Sequence, residues 1–145
     1  MRIENNNDYI SIEFIGRAAD GLNVWDGFRN DPNSIEIFLG FSTEDDWGMT
    51  EGMCVPLKDI EMIYKSLSLV LKNGSFTYSC NFPFESSNDE FITVVAEKYE
   101  SGIQVFFRIF DGMWDYIELA EVMDEAKFNN ILLELEGVIK KYPIV

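Results

Sequence analysis

Residues 55–74 read VPLKDIEMIYKSLSLVLKNG, and this stretch decides how the rest of the chain is organised. Its apolar residues recur at the i, i+3, i+4, i+7 spacing of one helix face. They are Ile60, Ile63, Tyr64, Leu67, Val70 and Leu71. Pro56 precedes the first turn, and Asn73-Gly74 supplies a left-handed end. The sequence therefore predicts an amphipathic helix that buries one face.

The same apolar spacing returns near the end of the chain. It is carried by Phe128, Ile131, Leu132, Leu135, Val138 and Ile139. Asp124 is placed to cap this second helix, and Tyr142-Pro143 ends it. We therefore expect a single domain over residues 1–145, with two pseudo-repeat halves, 1–72 and 73–145, each made of strands followed by a helix.

The segments before each helix alternate between apolar and polar residues, which is typical of strands. The predicted strands are Tyr9–Ile15, Ile35–Phe41, Trp47–Val55, Phe76–Phe82, Phe91–Tyr99, Ile103–Phe110 and Met113–Ala120. Asn5–Asn7 is interpreted as a polar lead-in, a short strand around Leu22–Trp25 stays open, and Asp111-Gly112 predicts a tight hairpin. Short turns between strands favour antiparallel pairing. The predicted class is α+β, antiparallel sheet with two helices, and this order resembles the plan of Whirly-like folds.

The composition is strongly acidic and contains no histidine: 26 acidic residues against 11 basic ones give a net charge of −15. The electrostatic field of such a charge repels nucleic acid and anionic membranes and attracts cationic partners. The alternative is that the charge only keeps the protein soluble. The basic residues Arg2, Arg17, Arg29, Lys98 and Arg108 are scattered. We therefore expect no nucleic-acid partner, and the single-strand-binding role of a Whirly-like fold is not carried by these residues.

Two further absences bear on location. The N-terminal residues lack the apolar core of a signal peptide. No run approaches the ~20 apolar residues of a membrane span. We therefore expect no membrane partner and a cytoplasmic protein, in which Cys54 and Cys80 are predicted to be buried thiols.

Without histidine, catalysis would depend on carboxylates, Cys, Lys or Tyr. A carboxylate-dependent hydrolase stays an alternative, with Glu44–Asp46 or the pair Asp111 and Asp115 as candidates. The loop Asp20–Asp31 and the cluster Glu44–Glu51 are rich in oxygens but do not fit a calcium loop. We expect that the protein is not an enzyme and binds no cofactor or metal. A binding module with an apolar pocket is a further alternative.

Tryptophan beside aspartate or glutamate is the most suggestive local pattern. Interface centres favour Trp, and carboxylates around them can steer and pair with Lys or Arg of a partner. The candidate partner-binding residues are Asp20, Trp25, Asp26, Asp31, Glu44, Asp45, Asp46, Trp47, Glu51, Asp111, Trp114 and Asp115. The alternative is that each Trp belongs to the core or to a sheet edge.

The opening residues 1–4 and 9–16, MRIE and YISIEFIG, resemble the start of WapI-type immunity proteins. The region around Asp20, Trp25 and Asp26, the strand ending in Gly40-Phe41, the helix Leu57–Leu71 and the closing strand-strand-helix resemble that family too. The resemblance implies a small cytoplasmic inhibitor that protects a bacterium from a polymorphic toxin, with no catalytic residues. Its partner would be a cognate toxin domain, a cationic and nuclease-type protein whose cleft suits an acidic ligand.

Overall fold

Two antiparallel four-stranded sheets, each followed by a helix, account for the residues that the computed structural model describes: 1–17, 32–81, 90–110 and 115–145. The first sheet comprises β1 (Arg2–Asn5), β2 (Asp8–Arg17), β3 (Ser34–Ser42) and β4 (Trp47–Pro56), and is followed by α1 (Leu57–Asn73). The second comprises β5 (Ser75–Asn81), β6 (Glu90–Tyr99), β7 (Gly102–Phe110) and β8 (Tyr116–Met123), and is followed by α2 (Glu125–Lys141). In both sheets the strands lie side by side in chain order. The predicted α+β class is confirmed.

Both helices end where the sequence predicts. Gly74 lies at φ 98°, and its N–H donates to the Val70 carbonyl at 3.0 Å, which closes α1. At the start of α2, the Asp124 carboxylate accepts the Lys127 N–H at 2.8 Å, so an otherwise unpaired amide is satisfied. Along both helices the predicted apolar faces pack against the core, with Ile60, Val70, Phe128 and Leu135 fully enclosed. The predicted face residues that are only partly buried are Tyr64, Leu71, Leu132, Val138 and Ile139.

The core is built from the inner faces of the two sheets and one face of each helix. In β7 the burial alternates residue by residue, with Ile103, Val105, Phe107 and Ile109 pointing inward. The first sheet contributes inward rows of Ile, Leu, Phe and Met side chains. Because one face of each sheet is used up in this way, the other face carries the residues that can meet a partner.

Strand β1 is a correction to the sequence prediction. Asn5 is its last residue and not part of a polar lead-in, and β1 pairs with β2 through Ile3 and Ile10. Asn6 adopts φ 56°, a left-handed conformation that Asn tolerates better than most residues, and this makes the turn tight. The strand is short and has a single fully buried side chain, Ile3, so it leaves little alternation in the sequence.

The last strand also differs from the predicted Met113–Ala120: β8 runs from Tyr116 to Met123, past the predicted end, while residues 113 and 114 lie outside the described part of the chain. Its inward residues continue to Met123, which pairs with Ile103 and is 4% exposed, so pairing extends to the helix cap.

The predicted strand at Leu22–Trp25 and the hairpin at Asp111-Gly112 lie outside the described residues. Cys54 is buried, as predicted.

The two halves meet at the side chain of Glu121 in β8. Its carboxylate accepts the backbone N–H of Glu4 in β1 at 2.6 Å and pairs with Lys127 of α2 at 2.7 Å. Beside it, the Asn5 amide donates to the Ala120 carbonyl at 3.1 Å. The Glu121 side chain is only 13% exposed, whereas its partner Lys127 is 42% exposed, so the link lies at the surface with its carboxylate turned inward. In the described part of the chain, no helix has the length and apolar character needed to cross a membrane.

Candidate partner-binding surface

The acidic turn, residues 43–46, connects β3 to β4 and is held by its own hydrogen bonds. The Thr43 N–H donates to the Asp46 carbonyl at 2.7 Å, and the Asp46 N–H donates to Thr43 Oγ1 at 3.2 Å. The Asp46 carboxylate accepts the Trp47 N–H at 2.8 Å. Glu44 and Asp45 are exposed at the tip of this hairpin. The turn therefore presents two solvated carboxylates from a fixed backbone, while Asp46 also serves the turn itself.

Trp47 and Met49 follow the acidic turn, and their side chains are 81% and 60% exposed. The residue between them, Gly48, faces the core side: a Cβ there would lie 3.0 Å from the Phe41 ring. Since side chains alternate along a strand, Trp47 and Met49 share the outer face of the first sheet. Two large apolar side chains are thus held in water beside a cluster of carboxylates.

The register places further residues on the same outer face. Trp47 lies in one row with Ser42 and Tyr9, because Ser42 pairs with both of them. The guanidinium of Arg2 stacks 3.9 Å from the centre of the Tyr9 ring and pairs with the Glu4 carboxylate at 2.7 Å. The guanidinium of Arg2 is thus already engaged by side chains of this chain. We call the group of Tyr9, Glu44, Asp45, Asp46, Trp47 and Met49 the Trp47 surface.

The predicted site residues have different outcomes. Four of them, Glu44, Asp45, Asp46 and Trp47, come together at one hairpin, and all four are exposed. Glu51 lies further along β4, at a bulge where Glu51-Gly52 stands opposite Phe38. Asp115 is exposed just before β8, and its carboxylate accepts the Tyr116 N–H at 2.8 Å. The other predicted residues lie outside the described part of the chain: Asp20, Trp25, Asp26, Asp31, Asp111 and Trp114.

The carboxylates that the hydrolase alternative would use are exposed where the structure describes them. A glycosidase needs two carboxylates facing each other across a bound sugar. Glu44, Asp45, Asp46 and Asp115 instead lie on exposed turns. Within residues 1–17, 32–81, 90–110 and 115–145, no three Cys, Asp or Glu side chains are grouped to hold a metal ion. The loop Asp20–Asp31, considered for calcium, lies outside these ranges.

Sequence reasoning missed a second surface, on the outer face of the second sheet. Its centre is Arg108, whose guanidinium stacks 4.0 Å from the centre of the Tyr116 ring and lies 3.6 Å from the Glu118 carboxylate. Next to it is a shallow depression of about 230 Å³, lined by Val95, Glu97, Gln104 and Phe106. We call Val95, Gln104, Phe106, Arg108 and Tyr116 the Arg108 surface. The signal in the sequence was Phe106, an apolar residue between polar Gln104 and Arg108 at alternate positions of β7.

At the rim of this second sheet, the exposed Tyr99 interacts with the half-buried Glu97. The Tyr99 hydroxyl donates to the Glu97 carboxylate. This hydrogen bond, together with the negative charge of Glu97, raises the pKa of the Tyr99 phenol above its usual value.

Comparisons with known proteins add the fold relationship. No family model matches the sequence, and no curated protein matches it. Among solved structures, the plant transcriptional regulator PBF-2 is similar with a TM-score of 0.54 at 13% identity, over 98% of this chain and 80% of the other. WHY3 from Arabidopsis thaliana is similar with a TM-score of 0.50 at 12% identity, over 98% and 86%. The fold is Whirly-like.

This similarity corrects one expectation. The exclusion of a nucleic-acid partner came from the net charge and the scattered basic residues, and it is wrong. A similar fold is found in a plant transcriptional regulator, PBF-2. A net charge of −15 therefore does not rule out a nucleic-acid partner for a chain of this fold.

Proposed function

We propose that this chain is a non-catalytic immunity protein of the WapI type, which acts in the cytoplasm and neutralises a basic, nuclease-type toxin domain by binding it. The observation that carries the proposal is Trp47, which is 81% exposed on a fixed hairpin directly after three carboxylates. Burying a side chain of this size stabilises a complex by about 2–3 kcal/mol. An exposed Trp in such a setting is therefore a strong anchor for a partner.

The charge around Trp47 supports a cationic partner. Within the described residues, Glu44, Asp45 and Asp46 form no ion pair with Lys or Arg of this chain. Their charge is available to an incoming protein, and carboxylates of this kind raise the association rate with a basic surface. A nuclease cleft that binds phosphate is lined with basic residues, so an acidic hairpin can occupy it in place of substrate.

The test is binding to the toxin domain encoded by the adjacent gene, measured by calorimetry at low salt. We expect a stoichiometric complex, and Trp47→Ala should weaken it about 30-fold or more, which corresponds to about 2 kcal/mol. The matched control is Leu133→Ala, because Leu133 is 62% exposed on α2 and lies outside the Trp47 surface. No complex at low salt, or an equal loss with both variants, would refute the proposal.

Reversing the charge of Asp45 distinguishes long-range electrostatic attraction of the toxin domain from direct contact in the complex. Asp45→Lys should slow association about tenfold at low salt, and the difference should shrink at high salt. Glu100→Lys is the control, because Glu100 is exposed in the turn between β6 and β7, on the other sheet. Stopped-flow mixing measures both rates. Equal slowing by the two reversals would mean that net charge matters and the acidic turn does not.

A second candidate function is binding of single-stranded nucleic acid on the Arg108 surface, and it is favoured by the shared fold with PBF-2. A guanidinium stacked on Tyr116 and the nearby ring of Phe106 resemble a platform for bases. Fluorescence anisotropy with a labelled single-stranded oligonucleotide tests it. Arg108→Ala should abolish the signal, whereas Lys140→Ala, an exposed cation on α2, should not. No signal at low salt rules this candidate out.

A further inference from the structure

We propose that the partner docks by adding an extended segment to the outer edge of β4, next to Trp47 and Met49. Among the described residues, β4 is the last strand of the first sheet, and its one neighbouring strand is β3. The proposal rests on the proposed function for the identity of the partner, and it adds the way in which that partner is held. Pairing with a sheet edge uses main-chain hydrogen bonds for affinity and alternate side chains for specificity.

The direction of the backbone groups follows from the register. The bond from the Thr43 N–H to the Asp46 carbonyl makes residues 43 and 46 a hydrogen-bonded pair. Such pairs alternate with non-hydrogen-bonded pairs along an antiparallel ladder. Trp47 pairs with Ser42 and Met49 pairs with Gly40, so both are non-hydrogen-bonded positions. The N–H and C=O groups of Trp47 and Met49 therefore point away from β3.

One of these groups is already satisfied inside the chain. The Trp47 N–H donates to the Asp46 carboxylate at 2.8 Å. No residue of the described part of the chain pairs with the Trp47 carbonyl or with the main-chain groups of Met49, so a docked strand can do so. The side chains of the same two residues are 81% and 60% exposed, so the apolar contact and the main-chain contact lie next to each other.

Two features confine the docking segment to residues 47–50. The bulge at Glu51-Gly52 interrupts regular pairing, because β4 has one more residue than β3 at this point. Beyond the bulge the outer face becomes inaccessible: Cys54 is 1% exposed, and Glu36, its partner in β3, is 9% exposed. A docked strand would therefore be short and would start beside the acidic turn.

The negative charge beside the edge of β4 indicates which kind of segment can dock there. A second copy of this chain would offer this edge only its own uncharged residues 47–50, so Glu44 and Asp45 would gain no cation from it. An extended segment that alternates Lys or Arg with apolar residues satisfies both features, because its cations face Glu44 and Asp45 while its apolar side chains cover Trp47 and Met49. We infer that the toxin domain presents such a segment.

The experiment measures hydrogen exchange of the Met49 amide by NMR with two probes. The first is the toxin domain encoded by the adjacent gene, and the second is a short synthetic peptide that alternates lysine and valine. A peptide that alternates glutamate and valine is the control for charge. We expect the toxin domain and the lysine peptide to slow exchange at Met49 at least tenfold, and the glutamate peptide to have no effect.

A variant pair tests the backbone directly. Met49→Pro removes the outward N–H without removing a bond to β3, whereas Met49→Ala removes only the side chain. Met49→Pro should weaken binding about fivefold more than Met49→Ala, which corresponds to one lost hydrogen bond of about 1 kcal/mol. If Met49→Pro fails to fold, the amide exchange of the wild-type protein still decides the question.

The outcomes separate the two proposals. If the toxin domain binds while exchange at Met49 is unchanged, edge pairing is overturned and the immunity function stands. If the toxin domain does not bind but the lysine peptide slows exchange at Met49, the immunity function falls and edge pairing stands. If neither probe slows exchange at Met49, edge pairing is overturned.

Discussion

Gly102, the first residue of β7, is the position at which adding a single methyl group should do most damage. It lies at φ 139°, and a Cβ there would stand 2.6 Å from the carbonyl oxygen of Met123 and 3.2 Å from the Val122 side chain. The first contact is with backbone, which cannot rotate away. Gly102→Ala therefore combines a conformation that L side chains rarely adopt with a forced shift between β7 and β8.

The two costs can be estimated separately. A non-glycine residue held in such a region costs about 1–3 kcal/mol, and overpacking against a fixed neighbour costs about 1–3 kcal/mol. We expect Gly102→Ala to lower the free energy of unfolding by about 3 kcal/mol, which for a chain of this size lowers Tm by about 6–12 °C.

Two other glycines provide matched controls. Gly74 lies at φ 98° with no atom within 4 Å of the added Cβ, so Gly74→Ala should cost only the conformational term, about 1–2 kcal/mol. Gly137 is inside α2 with equally open space, and Gly137→Ala should stabilise by about 0.5–1 kcal/mol. Urea unfolding of the three variants and the wild type measures the series. If Gly102→Ala is no worse than Gly74→Ala, the predicted backbone clash and the register of β7 with β8 are refuted.

Three further predictions concern single contacts. Asp124→Ala should lower the free energy of unfolding by about 1 kcal/mol in thermal melts, whereas Asp124→Asn should keep most of the cap of α2; equal losses would contradict the cap. Glu121→Gln should lower the free energy of unfolding in urea by about 1–2 kcal/mol, because Lys127 loses its charged partner where the sheets meet. An unchanged free energy of unfolding would mean that this link is dispensable. The Tyr99 phenol should ionise above its ordinary pKa of about 10 by ultraviolet titration, and Glu97→Gln should return it there. The pKa of Tyr99 is raised in the folded state, so the Tyr99–Glu97 hydrogen bond stabilises the fold below pH 10. This stabilisation is lost as the pH rises through the raised pKa.

Short-range sequence patterns predicted the helices and most strands because several independent patterns indicated each of these elements. The helix α2 has an aspartate cap, a periodic apolar face and a stop at Tyr142-Pro143, and each agrees with the others. Strand β1 has no such redundancy. Its place depends on pairing between Ile3 and Ile10 and on the link from Glu4 to Glu121, which joins residues far apart in sequence. Contacts of this kind leave no periodic pattern in the sequence.

The candidate site was predictable where charge and turn signals coincide within a few residues, as at Glu44–Trp47. The Arg108 surface was not predictable, because it is assembled across strands. Tyr116 reaches Arg108 only through the pairing of β7 with β8, and Val95 meets Phe106 only through the pairing of β6 with β7. In the sequence, Val105, Phe106 and Phe107 are simply consecutive apolar residues, and alternation alone does not say that the middle one faces outward.

The same distinction explains why net charge was a poor guide to partners. In physiological salt the field of an exposed charge is screened over about 8–10 Å. A ligand on one face of a sheet therefore responds to the few charges on that face and not to the total of −15. The Trp47 surface carries carboxylates with no cation of its own pairing them among the described residues, whereas the Arg108 surface carries a guanidinium stacked on an aromatic ring. Under the two functions proposed above, these faces would bind different ligands, so the partner of this protein has to be sought surface by surface, beginning with the hairpin that holds Trp47 in water.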